Sequence, residues 1–199
     1  AASVSIVALV GGLWFATRGA GDGDAFAQCR SGVVAGGAGA IGGPFELLNA
    51  QGETVTDADV ITRPSILYFG YTFCPDVCPL DVARNADAVD LLQADGHDVQ
   101  PVFITIDPQR DTPEVVGDFA ANLHEDMIGL TGSPEQIRAA SKAYRTYYKA
   151  HPADDDYYLV DHSTFTYLVL PEQGFVEFCR RDISAEDLAE RTACFVNAV

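Results

Sequence analysis

The chain has 199 residues, a length that suits one domain, and a hydrophobic share of 48% is enough for a packed core. Against 29 Asp and Glu stand only 12 Lys and Arg, giving a formal net charge of -17, and no segment clusters Lys or Arg. Nucleic-acid binding is therefore not expected, because phosphate contacts need basic groups. The acidity fits a solvated surface or attraction of basic partners.

Residues 1–16 carry no charged side chain, and Ser3 and Ser5 are the polar ones. As a helix this run spans about 24 Å, short of the roughly 30 Å hydrocarbon core of a bilayer. The chain starts at Ala1 without a Met or a basic flank, so residues 1–18 read as a transmembrane anchor whose upstream end has been removed. A signal peptide cut after Ala25-Phe26-Ala27 is the rival reading, but that cut lies far from the apolar run. A buried core helix is disfavoured by the Gly-rich stretch that follows. Residues 19–40, rich in Gly and Ala, read as a tether, and residues 41–199 as the folded domain.

Within that domain, residues 45–48 and 53–56 flank Asn49-Ala50-Gln51-Gly52 as a hairpin. Residues 65–71 form a continuous apolar run, expected of a central strand covered on both faces. Val82, Ala86, Val89 and Leu92 then follow at helical spacing, on a helix that Pro79 is expected to open. Residues 99–106 are the next strand. Thr112 and Pro113 have the types for N-cap and first position of a second helix. A short strand at 127–130 precedes a capping box, Ser133-Pro134-Glu135-Gln136, which opens a helix towards Tyr144. Residues 164–170 and 175–179 form a second hairpin, and Ser184 caps a last helix running to about Asn197. Alternating strands and helices, ending in hairpin and helix, give an α/β sandwich with a mixed sheet.

Two cysteines interrupt this pattern at an informative place. Cys74 and Cys78 lie in Tyr71-Thr72-Phe73-Cys74-Pro75-Asp76-Val77-Cys78-Pro79, between the central strand and its helix. Such a pair makes the fold thioredoxin-like, with the first hairpin as an addition. The spacing is Cys-x3-Cys rather than the Cys-x2-Cys of thioredoxin-type redox motifs. The extra residue widens the thiol pair and favours a metal chelate over a tight disulfide switch. A helix N-terminus also lowers thiol pKa, because its N–H groups favour a thiolate.

His162, in Val160-Asp161-His162-Ser163-Thr164, is the third candidate ligand. In a thioredoxin-like fold the loop before the equivalent strand approaches the cysteine turn. Two thiolates and an imidazole suit Cu(I) or Cu(II), with Zn(II) also possible. His97 sits in a turn, His124 at a helix end and His151 before an acidic loop, and none competes well. The run Asp154-Asp155-Asp156 reads as solvated, as do Asp57 and Asp59. Asp76 either caps the helix or faces the metal or a partner. Asp161 is a candidate for orienting the imidazole. Asp107, Arg110 and Asp111 form a charged loop explained by turn-building with an Arg–Asp pair.

Three cysteines remain, Cys29, Cys179 and Cys194, so at most one disulfide forms among them. Of the three pairings Cys29–Cys194 is favoured, since it would fix the tether, whereas Cys179 reads as core.

Four blocks occur in register: Ile41-Gly42-Gly43-Pro44-Phe45, residues 69–79, Asp107-Pro108-Gln109-Arg110-Asp111-Thr112-Pro113 and Asp161-His162-Ser163. From Ile41 onward the chain resembles the Sco/SenC family of copper-binding proteins that assemble cytochrome c oxidase. The resemblance implies copper held by Cys74, Cys78 and His162. It implies the dinuclear copper site of cytochrome c oxidase subunit II as recipient, and the Asp107–Asp111 loop near the metal face, where a partner docks. It also implies a bacterial-type inner membrane with the domain in the periplasm, or the mitochondrial equivalent facing the intermembrane space. The alternative function is a thiol–disulfide oxidoreductase using Cys74 and Cys78, which does not need His162. A peroxiredoxin-like peroxidase is a third reading.

Overall fold

The structure, a computed structural model, describes residues 25–30, 38–151 and 157–199. The apolar run, much of the Gly-rich segment and Asp154-Asp155-Asp156 lie outside the described residues. Among the described residues no helix is long and apolar enough to cross a membrane.

A hairpin of β1 (Glu46–Leu48) and β2 (Thr54–Thr56) comes first, followed by a single turn of helix, α1 (Asp57–Val60), that the sequence reading left as solvated loop. The Asp59 carboxylate accepts from Thr56 N–H at 2.9 Å, closing a capping box. The central strand β3 (Ser65–Gly70) is buried along its whole length. It leads through the cysteine turn into α2 (Val77–Ala94), then β4 (Gln100–Thr105), α3 (Pro113–Leu123), β5 (Ile128–Leu130) and α4 (Pro134–Ala143). The expected caps form: Thr112 accepts from Val115 N–H, and Ser133 and Gln136 make the reciprocal box. A small ladder of β6 (Tyr148–Ala150) and β7 (Val160–His162) precedes the hairpin β8 (Thr166–Leu170) and β9 (Gly174–Cys179), and α5 (Ala185–Asn197) closes the chain.

The main sheet has the order β5-β4-β3-β8-β9. β3, β4 and β5 are parallel, while β8 runs antiparallel to β3 and β9 antiparallel to β8. That is the mixed sheet expected of a thioredoxin-like fold, with β3 at its centre. A central strand must be apolar on both faces, and two clusters provide its cover. Leu67, Tyr68 and Phe69 belong to the larger, with Val102, Phe103 and Val116. Ile66 belongs to the second, with Ala88, Val89 and Leu92 of α2 and Leu188 and Phe195 of α5.

Part of the segment read as a tether packs on this second cluster. Phe26 is buried there, its ring centroid 5.3 Å from that of Phe195. Cys29 and Cys194 form a disulfide across a sequence separation of 165. Cys179 is a buried free thiol, as expected of a core residue.

Candidate metal centre

Parallel strands end at the same edge of a sheet, and in open α/β sheets that edge collects ligand sites. β3 delivers the cysteine turn there. Cys74 closes the turn, its N–H bonded to the Tyr71 carbonyl at 3.2 Å. Cys78 is the second residue of α2, so Pro79 falls third in the helix rather than at its start. The helix begins early enough for the Cys78 backbone N–H to point at Cys74 Sγ, 3.4 Å away.

His162 ends β7, which brings it over the pair. Its Nε2 lies 3.2 Å from Cys78 Sγ. The two sulfurs and one imidazole nitrogen all lie within 4.8 Å of one another. Among the described residues this is the one group of three His, Cys, Asp or Glu side chains able to hold an ion. The sequence-predicted trio thus meets in space, although 84 residues separate Cys78 from His162.

The imidazole is oriented for this role. Its Nδ1 lies 2.9 Å from the Ser163 carbonyl, which can only accept, so Nδ1 carries the proton and Nε2 keeps a lone pair toward the sulfurs. Tyr68 and Tyr71 meet its ring edge-on, at centroid distances of 6.3 and 5.8 Å. Asp161 does not orient it. Neighbours on a strand point to opposite faces, and the exposed Asp161 carboxylate instead pairs with His151 Nε2 at 2.6 Å.

The thiols are inequivalent. The Cys78 side chain hydrogen-bonds Cys74 and pulls its pKa down to about 4, against the burial that would raise it, with help from the Asp76 and Cys78 N–H groups. The bond to Cys74, with burial, drives the Cys78 thiol far above the ordinary range. The pair therefore holds one proton between two sulfurs near neutral pH, with the negative charge on Cys74.

The turn is braced from the Asp107–Asp111 loop. Asp111 is fully buried and accepts from Thr72 N–H at 3.0 Å, Thr72 Oγ1 at 2.5 Å and Thr105 Oγ1 at 2.5 Å. Asp107 takes the expected pair with Arg110 at 2.5 Å and accepts from the Tyr158 hydroxyl at 2.5 Å. The Arg110 guanidinium lies over the Tyr158, Phe73 and Tyr71 rings at 3.7, 4.9 and 5.6 Å. Asp76 occupies the N-cap of α2, but its side chain makes no capping hydrogen bond and is exposed. His124 faces Asp90 at 3.2 Å, away from the site, and His97 is half-buried in its turn.

Sequence reasoning missed Tyr68, Tyr71 and the bracing of Thr72 by Asp111. Tyr68 and Tyr71 sit in an apolar run that periodicity reads as core. Their position at the last turns of a strand aimed at two cysteines was the available signal.

Donors of this kind, two sulfurs and a neutral imidazole, suit soft or borderline ions such as Cu(I), Cu(II) and Zn(II). The fold and donor set define a thioredoxin-like protein with a cysteine–histidine donor cluster able to hold an ion. A family model described as SCO1/SenC matches residues 34–197, and the chain belongs to that family. It is 52% identical to Protein SenC of Rhodobacter capsulatus over 199 residues, 100% of this chain and 90% of that protein. It is 43% identical over 152 residues to Protein SCO1 homolog 1, mitochondrial, of Arabidopsis thaliana, 76% of this chain but 46% of that longer protein. The crystal structure of Arabidopsis thaliana ScoI with copper bound superposes with a TM-score of 0.75 at 41% identity, covering 79% of this chain and 99% of that one.

Proposed function

We propose that this protein is a membrane-anchored copper chaperone that binds copper through Cys74, Cys78 and His162. It delivers the ion to the dinuclear copper site of cytochrome c oxidase subunit II. The observation that carries the reading is the convergence of those three donors within 4.8 Å, in a chain that resembles a Sco protein solved with copper bound. Copper here is cargo. The Cys74 thiolate meets the ion first, the Cys78 thiol gives up its proton on binding, and Nε2 of His162 completes the set. Release runs by ligand exchange, with recipient thiolates replacing Cys74 and Cys78 one at a time. Phe73 and Leu80, 52% and 63% exposed beside the cysteines, suit the docking that such exchange requires.

Residues 1–18 serve as the membrane anchor in this reading, and the domain faces the periplasm or the intermembrane space. The Cys29–Cys194 disulfide supports an oxidising compartment.

A second reading has one specific observation behind it. The depressed Cys74 pKa suits a thiol–disulfide oxidoreductase. Cys74 would attack a partner disulfide, Cys78 would resolve the mixed disulfide, and the partner would leave with two thiols while Cys74 and Cys78 became the disulfide. The two readings separate in one assay. Copper-loaded protein is mixed with the copper-free soluble domain of subunit II, in its reduced form to follow copper and in its disulfide form to follow thiols. The chaperone reading predicts copper transfer without disulfide formation, lost in His162→Ala. Disulfide exchange undiminished in His162→Ala, with no copper moved, would replace it by the oxidoreductase.

A further inference from the structure

Behind Cys78 lies a buried charge that the ligand set does not use. Asp81 sits one helical turn after Cys78 on α2, and its side chain is 5% exposed. Its Oδ2 accepts from the Tyr68 hydroxyl at 2.9 Å. Tyr68 is itself 1% exposed and lies beside two of the three donors, His162 and Cys78. Its ring stands edge-on to the His162 imidazole at an interplanar angle of 89°. Ring and sulfur crowd Gly70 together, and a Cβ there would stand 2.9 Å from each. One opposing charge is Arg181, whose Nε lies 3.7 Å from Asp81 Oδ1 with the side chain 46% exposed. Arg84 is a second cation that acts on Asp81, with its guanidinium bonded to the neutral Asn85, Thr166 and Arg181 carbonyl.

We propose that Asp81, held against the site by Tyr68, biases the Cys74–Cys78–His162 centre toward Cu(II) over Cu(I). The inference rests on the reading that those residues bind copper. Two thiolates neutralise Cu(II), whereas with Cu(I) the same donors leave a net charge of minus one. A fixed carboxylate nearby repels that extra negative charge. Tyr68 fills the space between carboxylate and site, so bulk water screens the repulsion weakly. Arg181 acts in the opposite sense and, being half exposed, acts more weakly. Asp81 and Tyr68 are positioning residues, since neither donates to the ion.

Asp81→Asn keeps an acceptor for the Tyr68 hydroxyl and removes the charge. The ratio of Cu(I) to Cu(II) affinity, measured by competition with a chelator selective for each ion, is expected to rise roughly tenfold. That is the scale of one charge acting across an aromatic ring at an effective dielectric near 20. Arg181→Gln is expected to lower the same ratio, by roughly two- to threefold after allowance for its exposure. Opposite signs are the signature, because general structural damage would move both variants the same way. If Asp81→Asn does not fold, Arg181→Gln at its half-exposed position still decides the question. Ratios unchanged, or shifted in one direction by both variants, would overturn the inference while leaving the wild-type ligand set intact. A wild-type protein that binds neither ion would overturn the ligand reading and this inference with it.

Discussion

Two cysteine pairs in this chain sit in different chemical states. Cys74 and Cys78 are four residues apart, reduced, and ringed by hydrogen-bond donors, two tyrosine edges and an imidazole. Cys29 and Cys194 are 165 apart in sequence and joined. Cys29 packs against the cluster holding Ile66, Leu92 and Val99, near the start of β3 rather than its cysteine end. The same side chain thus does two jobs, and its surroundings decide which. Backbone N–H groups and a shared proton stabilise a thiolate at one pair, keeping it nucleophilic and ready for a soft ion. At the other pair, apolar packing and a long closed loop make the bond a constraint on the unfolded chain.

This contrast can be broken at either end. Cys29→Ser should have the largest effect on stability. Closing a loop of this length contributes about 5 kcal/mol in the chain-entropy account, so denaturant unfolding should show a loss of that order. Copper affinity should be unchanged, and a parallel fall in affinity would show that the two pairs are not independent.

The proton shared at the other pair sharpens the contrast. The depressed Cys74 pKa contributes stability that is complete above the ordinary thiol value near 8.5 and is lost as pH falls through about 4. The raised Cys78 pKa contributes stability present below the ordinary value and lost as pH rises above it. Ultraviolet thiolate absorbance of the reduced, metal-free protein should show one thiolate persisting well below neutral pH. A single midpoint near the ordinary thiol value would contradict the asymmetry.

Gly70→Ala tests how closely the first pair is packed. The new Cβ would stand 2.9 Å from Cys78 Sγ, 2.9 Å from the Tyr68 ring and 3.2 Å from Phe103. Overpacking of this kind costs about 1–3 kcal/mol, and thermal unfolding should register it. Asp161→Asn should do least. Its carboxylate pairs with exposed His151 and not with the His162 ring, so copper binding and spectra should match wild type. A changed spectrum would restore Asp161 as the group that orients the imidazole.

Much of this was legible in the sequence. The apolar run at 65–71, the helical spacing of Val82, Ala86, Val89 and Leu92, and the Thr112 and Ser133 caps are local signals, and the strands and helices they predict are present. The cysteine turn was legible because its position between a central strand and a helix depends on neighbours in sequence. His162 was harder, since only tertiary contact joins it to Cys78, and the family blocks were needed to single it out. The β6–β7 ladder escaped because three-residue strands carry too little periodicity to be recognised. Asp107, Arg110 and Asp111 read together as turn-building with an Arg–Asp pair. Arg110 pairs with Asp107, while buried Asp111 holds Thr72. Charge pattern names the loop, and packing decides which carboxylate goes where.

The most direct test of the central claim is the visible absorption spectrum of the reduced protein after one equivalent of Cu(II), recorded beside His162→Ala with the Cys29–Cys194 disulfide intact. The account predicts a strong thiolate-to-copper charge-transfer band in the wild type that is lost in the variant. No band, with Cys74 and Cys78 oxidised to a disulfide, or an equal band in His162→Ala, would contradict the three-ligand copper site.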